Sequence, residues 1–223
     1  MKSIFGFLAF AFCCASLANA DSSYTFSWST TPLVGNGPFT LDFQFLDGSG
    51  LPIDLNNNTV SLTSFGFGTG GSASGGGTAS GGASGSLSTG VTLNDTVFLN
   101  EYYENFTPGS LLSFTIDTTN VADPGGTPDL FTLAILDNMG DELPTTGPAS
   151  EFLDISLAGG ANPVVATFGS APGSAYALSA PTVELQTGGP SPVPEPSSYS
   201  VLLTGLMGLG FVARRARRSK VDR

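Results

Sequence analysis

Apolar and polar residues alternate along much of the chain between residues 21 and 186. The clearest case is Phe39, Leu41, Phe43 and Phe45, which are separated by single polar residues. Alternation of this kind places every apolar side chain on one face of an extended strand. The pattern predicts about nine or ten short strands in all. Other segments with the same alternation, or with a short apolar run, are 24–28, 112–116, 130–136, 152–157, 164–168 and 182–186.

The strand pattern predicts an all-β fold. Outside the two terminal segments, no window of about ten residues shows a helical period together with capping residues. The segment 130–136 is apolar at nearly every position, which is typical of a central strand that is buried on both faces. We therefore predict an antiparallel β-sandwich of jelly-roll or immunoglobulin-like kind, with a closed barrel as the main alternative.

Residues 66–90 interrupt the strand pattern. Eleven of these 25 residues are Gly, and most of the others are Ser, Thr or Ala. Such a composition buries too little apolar area to offset the entropy that is lost on ordering. The sequence therefore predicts a flexible Gly/Ser-rich loop inside a single domain that spans residues 21–187.

Charge is distributed very unevenly along the chain. Six of the seven Lys and Arg residues lie within the last ten positions, and the seventh is Lys2. Between residues 3 and 213 there are 17 Asp or Glu residues and no Lys, Arg or His. A protein that binds nucleic acid needs a basic surface to neutralise phosphates, so this function class is excluded.

The N-terminus contains the three parts of a secretory signal peptide in the required order. Lys2 precedes an apolar run over residues 4–15, and Ala18 and Ala20 occupy the two positions that signal peptidase reads. We predict cleavage after Ala20, which removes residues 1–20.

The mature chain is expected to contain no cysteine. Cys13 and Cys14 both lie in the segment that is removed. The mature protein can then form no disulfide and offers no thiolate. A fold in an oxidising compartment must be held by its core alone.

The C-terminus combines a proline-rich stalk, an apolar segment and a basic tail. Proline occupies alternate positions within the stalk, 188–197, which favours an extended polyproline-like backbone. The apolar segment, 198–213, predicts a transmembrane helix near the lower limit of length for crossing a membrane. The basic tail, 214–223, is expected to remain in the cytoplasm and to leave the acidic body outside.

Three features of this C-terminus occur in a fixed order, namely the motif Pro194-Glu195-Pro196, a short Gly/Leu-rich span and a terminal cluster of arginines. Together they closely resemble the PEP-CTERM sorting signal of bacterial exported proteins. The resemblance implies cleavage near the motif by exosortase, a membrane-embedded protease of the cysteine transpeptidase kind. It also implies a retention role for the arginines, which are Arg214, Arg215, Arg217 and Arg218. An ordinary single-pass anchor behind a proline-rich stalk is the alternative.

The body also has a looser resemblance. Residues 106–114 and 128–131 are similar to segments of uncharacterised PEP-CTERM ectodomains, which implies a shared fold without an activity. The family resemblance further implies transient membrane insertion at the inner membrane, followed by release to the cell surface or the extracellular matrix. Association with exopolysaccharide is implied as well.

The body lacks the side chains on which most catalytic sites depend. Without His, Cys, Lys or Arg it cannot build a serine or cysteine hydrolase triad, a Schiff base, a nitrogen- or sulfur-ligated zinc site or a phosphate clamp. Paired carboxylates remain open, because glycosidases need only two Asp or Glu at a set separation. No spacing singles out such a pair. We therefore predict that the protein is not an enzyme, with a carboxylate-only glycosidase as an alternative.

Two predicted turns carry oxygen ligands that suit calcium. A hard cation would relieve the mutual repulsion of their acidic side chains, although neither spacing matches an EF-hand. The turn that follows the predicted central strand contains Asp137, Asn138, Asp141 and Glu142. A second acidic loop contains Asp117, Asn120, Asp123 and Asp129.

Three aromatic residues could stack on sugar rings, namely Trp28, Tyr102 and Tyr103. Core packing of Trp28 and strand-edge placement of the two tyrosines is the competing interpretation. We therefore expect an exported, acidic protein of the cell surface or extracellular matrix, with a calcium-assisted carbohydrate-binding module as the first alternative.

Overall fold

The computed structural model describes residues 22–48, 57–122, 127–159 and 163–186, and these residues form two antiparallel β-sheets. The all-β, antiparallel prediction is therefore confirmed. A short 3-10 turn, Thr31–Leu33, follows the first strand. The strands of the described residues are β1 (Ser22–Trp28), β2 (Phe39–Leu46), β3 (Thr59–Gly66), β4 (Ser72–Ala73), β5 (Thr78–Ser80), β6 (Gly82–Ser86), β7 (Gly90–Asn94), β8 (Leu99–Thr107), β9 (Leu112–Thr118), β10 (Asp129–Leu136), β11 (Leu153–Leu157), β12 (Val164–Thr167) and β13 (Thr182–Leu185).

Most neighbouring strands are distant in sequence. The first sheet has the order β13-β1-β9-β3-β7-β6, and the second has the order β12-β11-β10-β2-β8-β4, with β5 also paired to β8. Among the described strands, eight connections carry the chain from one sheet to the other, and three of these are β2–β3, β7–β8 and β9–β10. In the second sheet Leu46 pairs with Leu99 and with Leu130, so β2 ends where β8 and β10 begin. We call this end of the sandwich the crossover end.

The inward faces of the two sheets share one hydrophobic core. The four apolar residues of the segment 39–45 point inward and are almost fully buried, as the alternation predicts. Phe43 of the second sheet meets Phe114 of the first edge to face, with ring centroids 5.8 Å apart. Trp28 packs on Phe152 across the same interface, with centroids 4.5 Å apart. Aromatic pairs of this kind add about 1 kcal/mol each to the burial of their area, so they hold the sheets face to face.

The other strands that the sequence analysis located are also present. Strands β1, β9, β10, β11, β12 and β13 coincide with the predicted segments to within two residues at each end. Strand β10 lies between β11 and β2, which confirms its central position. Its burial on both faces is only partial, because Leu130 and Leu136 on the outer face are half-buried.

The prediction of a flexible loop over residues 66–90 is wrong in its secondary structure. This segment carries β4, β5 and β6. Strands β4 and β5 pair with β8 of the second sheet, and β6 pairs with β7 of the first. The segment therefore runs along one side of the sandwich and covers an edge of both sheets. The prediction from entropy failed because backbone hydrogen bonds to neighbouring strands order the segment, and because a few of its side chains, Leu87 among them, pack on the core.

Two glycines show why this segment is rich in small residues. A Cβ atom at Gly77 would overlap the hydroxyl group of Tyr102, and a Cβ atom at Gly82 would overlap the carbonyl oxygen of Asn94. Only glycine lets the backbone approach β8 and β7 this closely.

Glu104 of β8 joins the glycine-rich segment to the core. Its side chain points inward and is almost fully buried. Oε1 accepts a hydrogen bond from Gly75 N at 2.9 Å, and Oε2 accepts one from Leu87 N at 3.0 Å and another from the hydroxyl of Tyr102. Burial, followed by the hydrogen bond to Glu104, raises the pKa of Tyr102, so its hydroxyl stays protonated and donates. Hydrogen bonds to a carboxylate are about twice as strong as neutral ones.

Replacing Glu104 by Ala should destabilise the protein by about 3 kcal/mol, because the Tyr102 hydroxyl and two backbone N–H groups lose a buried acceptor. Urea denaturation followed by circular dichroism measures this change. The matched control is Glu101→Ala on the outward face of the same strand, which should cost less than about 1 kcal/mol. Equal losses in the two variants would contradict the assigned role of Glu104.

Several predictions concern residues outside the described ranges and stay predictions. Within the described ranges, no helix is both long and apolar enough to span a membrane. The predictions outside them are the signal peptide with Ala18 and Ala20, the stalk with Pro194, Glu195 and Pro196, the helix over 198–213 and the tail with Arg214, Arg215, Arg217 and Arg218.

Candidate functional site

The outer face of the second sheet carries a group of polar and acidic side chains. Alternate residues of β2 and β8 point away from the core, which places Asp42, Gln44, Glu101 and Tyr103 on this face. Asp42 lies opposite Tyr103, and Gln44 lies opposite Glu101. Asp42 and Glu101 are thus diagonal neighbours, with Cβ atoms about 7 Å apart. We call these four residues the acidic face.

Asp42 is the buried member of the acidic face, with only 5% of its surface exposed. Its Oδ2 atom accepts a hydrogen bond of 2.7 Å from Gln44 Nε2, whereas Oδ1 is enclosed and has no hydrogen-bond partner among the described residues. Burial raises the pKa of Asp42 to about 6; the hydrogen bond from Gln44 opposes this rise, and the charges of Glu101 and Glu142 add to it. Asp42 can therefore exchange a proton close to neutral pH.

A second pair of carboxyl groups lies at β11. Asp154 points outward and pairs with Thr132, which in turn pairs with Gln44 of the acidic face. The pKa of Asp154 is raised to about 7. Burial is the main cause, followed by the charge of Glu151 and a hydrogen bond to it. Glu151 is held in place by Ala149 N, which donates to Oε2 at 2.7 Å. A proton on Asp154 is favoured because burial and the neighbouring charge of Glu151 make its ionised form costly.

A glycosidase needs two carboxyl groups that both reach the glycosidic bond. Asp42 and Glu101 are diagonal neighbours on the sheet, but the carboxyl group of Asp42 is enclosed. A sugar on this face would contact Glu101 and Tyr103. The acidic face can therefore donate and accept hydrogen bonds and can stack an aromatic ring on a ligand.

The three predicted sugar-stacking residues differ in their exposure to solvent. Trp28 and Tyr102 are each 1% exposed and belong to the core, which agrees with the competing interpretation for Trp28. Trp28 Nε1 donates to the carbonyl oxygen of Ser179 at 2.6 Å. Tyr103 is 40% exposed and lies beside Asp42. It is the one candidate of the three that a ligand can reach.

The predicted calcium turn is organised by its own backbone. Asp137 Oδ1 accepts hydrogen bonds from Met139 N at 2.8 Å and from Asp141 N at 3.1 Å. Glu142 forms a bridge to Leu136 at the start of this turn. Among the residues that the structure describes, no group of three or more Asp, Glu, His or Cys is placed to hold a metal ion. A calcium site at Asp137, Asn138, Asp141 and Glu142 therefore stays a prediction.

The described members of the second acidic loop lie in different surroundings. Asp117 is exposed on β9, whereas Asp129 is fully buried at the start of β10. Asn120 Oδ1 accepts a hydrogen bond from Gly159 N at 2.9 Å. Asp123 lies outside the described residues.

Sequence reasoning missed the carboxylates that the fold brings into unusual surroundings. Asp42 and Asp154 each stand between two inward apolar residues, so the alternation marks them only as outward positions of a strand. Glu104 occupies an inward position of β8, where the alternation calls for an apolar residue. The carboxylate of Glu104 at an inward strand position could have indicated a buried acidic residue from sequence alone. The neighbouring sequence gives no such indication for Asp42 or Asp154.

No protein-family model matches the chain, and comparisons with curated proteins and with solved structures found no match. The functional interpretation therefore depends on the residues and geometry of this chain.

The raised pKa of Asp154 should make stability depend on pH. This pKa is about 7 in the folded chain against 3.8 for an unperturbed aspartate, so the folded state holds the Asp154 proton more tightly. Its contribution to stability is full below about pH 4 and is lost as the pH rises through about 7. We expect the melting temperature, followed by circular dichroism, to fall across this window.

The variant Asp154→Asn should flatten that dependence, because a neutral amide replaces the protonated carboxyl. At pH 8 it should melt higher than the unaltered protein. Asp117→Asn, at an exposed position of β9, is the control and should retain the full slope. An unchanged slope in Asp154→Asn would show that Asp154 does not titrate near neutral pH in the folded state.

Proposed function

We propose that this chain is an exported, non-enzymatic β-sandwich protein that an exosortase-type system delivers to the cell surface or the extracellular matrix. The observation that carries the proposal is the distribution of charge. Residues 3–213 include 17 acidic and no basic residues, and the basic residues are confined to Lys2 and the last ten positions. Because basic segments tend to stay on the cytoplasmic side of a membrane, this distribution favours a cytoplasmic tail and an exported body.

The composition of the core is compatible with an extracellular location. Its core is assembled from aromatic and aliphatic side chains of both sheets and contains no cysteine. The fold therefore needs no particular redox environment. Of the two finer topologies, we favour the jelly-roll type, because successive strands repeatedly alternate between the two sheets.

Association with exopolysaccharide is the second part of the proposal. Tyr103 is exposed on the outer face of the second sheet, with Glu101 and Gln44 in the neighbouring register positions. An aromatic ring flanked by hydrogen-bonding groups is a suitable surface for a sugar ring, because the ring faces are apolar and the rim is polar. The calcium-assisted form of this binding would also reduce the repulsion between an acidic body and an acidic polysaccharide.

The export route is tested by the intact mass of the protein recovered from its native host. We expect loss of residues 1–20 and of everything beyond about Pro196. A Glu195→Ala variant should keep its basic tail, whereas the control Glu184→Ala, at an exposed position of β13, should be processed normally. An unaltered C-terminus in the native protein would favour the single-pass anchor.

Polysaccharide binding is tested with Tyr103→Ala in isothermal titration against purified exopolysaccharide. Loss of one stacking contact of about 1.4 kcal/mol should weaken binding about tenfold. The matched control is Phe98→Ala, because Phe98 is also an exposed aromatic residue but lies before β8 and away from the acidic face. Equal binding by both variants would remove Tyr103 from the site, and no heat with the unaltered protein would remove the polysaccharide.

A further inference from the structure

Three consecutive apolar residues are exposed at the crossover end of the sandwich. Val97, Phe98 and Leu99 are 45%, 61% and 40% exposed, and they lie where the chain enters β8. Leu99 points outward and pairs with Leu46 of β2, which pairs in turn with Leu130 of β10. These two partners are half-buried at outward positions of the same sheet. We call the five residues the apolar tip.

A buried side chain holds the apolar tip in this exposed conformation. Asn100 is fully buried, and its Oδ1 atom accepts a hydrogen bond from Val97 N at 3.3 Å. Its Nδ2 atom donates to the carbonyl oxygens of Val97 at 2.7 Å and of Phe45 at 3.1 Å. The carbonyl oxygen of Phe98 accepts a further hydrogen bond from Asp47 N at 3.0 Å. The backbone of this turn is therefore fixed, so Phe98 is presented to solvent instead of packing into the core.

Exposure of this kind departs from the inward-apolar pattern of the body. Phe98 is the most exposed aromatic residue in the described part of the chain. An exposed apolar patch on a folded protein marks a surface that contacts another molecule or a membrane. The position of the tip in the fold indicates which of these partners it meets.

Both ends of the described body lie at the crossover end as well. Asn58, which precedes β3, donates to Asp129 at the start of β10, so β3 begins at this end. Val60 of β3 pairs with Thr118, and Thr118 pairs with Ser22, the first residue of β1. Strand β13 runs antiparallel to β1 and therefore ends here too. The chain thus enters and leaves the body at the end that carries the apolar tip.

The predicted transmembrane segment is connected to the body through this end. The eleven residues 187–197 separate the last described residue from the apolar segment 198–213. Eleven residues span at most about 40 Å when they are fully extended. A chain that is anchored through the segment 198–213 is therefore tethered by its crossover end, with the bilayer within reach of the apolar tip.

The charges at the crossover end also suit a lipid surface. Three acidic side chains at this end, Asp47, Asp95 and Asp129, are each at most 1% exposed, so their carboxylates do not lie on the surface that approaches the headgroups. Asp117 near this end is exposed, but it lies on the outer face of the first sheet, away from the tip. The exposed Asp141 follows β10 at the opposite end. An acidic body meets least repulsion from lipid phosphates when it approaches by the crossover end.

We propose that the apolar tip contacts the membrane surface while the body is tethered, and that its partner is the boundary between the headgroups and the acyl chains. Phe98 inserts deepest, with Val97 and Leu99 beside it, because aromatic and aliphatic side chains at a membrane surface settle at this boundary. The proposal rests on the transmembrane segment of the proposed function. It adds the surface of the body that meets the bilayer.

The test uses the exported chain from Asp21 to Arg223, which retains every described residue and has no cysteine. A Phe98→Cys variant is labelled with an environment-sensitive fluorophore and reconstituted into phosphatidylcholine vesicles. We expect a blue-shifted emission that is quenched by lipids with a nitroxide near the headgroup end of the acyl chain. Val97→Cys is the second reporter and decides the matter should Phe98→Cys fail to fold.

The matched control is Met139→Cys, because Met139 is 83% exposed but follows β10 at the opposite end of the sandwich. Lipid quenching at position 98 should exceed that at position 139 about twofold or more, because shallow insertion brings only the apolar tip to the acyl chains. The control label should keep the emission of a fluorophore in water.

Equal, water-exposed emission at positions 98 and 139, in a chain that floats with the vesicles in a density gradient, would overturn the proposal and leave the export proposal intact. A blue-shifted emission that lipid nitroxides do not quench would place a second copy of the chain on the tip and would also overturn it. A chain that does not float with the vesicles would contradict the predicted transmembrane segment, and the tip proposal would fail with it. The failures are therefore distinguishable.

Discussion

The constraint on which the rest of the structure depends is the lack of any positive side chain between residues 3 and 213. Glu104, Asp95, Asp129 and Glu151 are almost fully buried, yet none of them can form a salt bridge within this stretch. Each is held by neutral donors, which are backbone N–H groups, the amide of Asn58 and the hydroxyl of Tyr102. Neutral donors reduce the cost of a buried charge without cancelling it. Such carboxylates must therefore lie where several N–H groups converge, at turns and chain crossings.

The glycine-rich segment, residues 66–90, provides neutral hydrogen-bond donors to a buried carboxylate and also covers strand edges. It supplies Gly75 N and Leu87 N to Glu104, and in doing so it places β4 and β5 on the edge of β8 and β6 on the edge of β7. Exposed strand edges pair readily with other chains. The opposite edges are formed by β12 and β13, which are only four residues long. Short or covered edges of this kind limit edge-to-edge association.

The alternation of apolar and polar residues was sufficient to predict the fold class and most strands, because an inward Phe or Leu at every second position has only one buried face to occupy. It was insufficient for residues 66–90, whose order comes from backbone pairing with β7 and β8, a contact that composition does not encode. The candidate sites were predicted less well. Tyr103 was identified among three aromatic residues, but Asp42 became unusual only when the fold enclosed it.

The surface charge of this body depends on conditions near neutral pH, and this bears on the proposed association with polysaccharide. The pKa values of Asp42 and Asp154 are raised to about 6 and about 7, so both groups lose protons as the pH rises through this range. The outer face of the second sheet thereby gains two negative charges. A neutral glycan would bind this face equally well on either side of the transition, whereas an acidic glycan would be increasingly repelled. The pH dependence of binding thus distinguishes the two kinds of polymer by charge alone, before either is chemically identified.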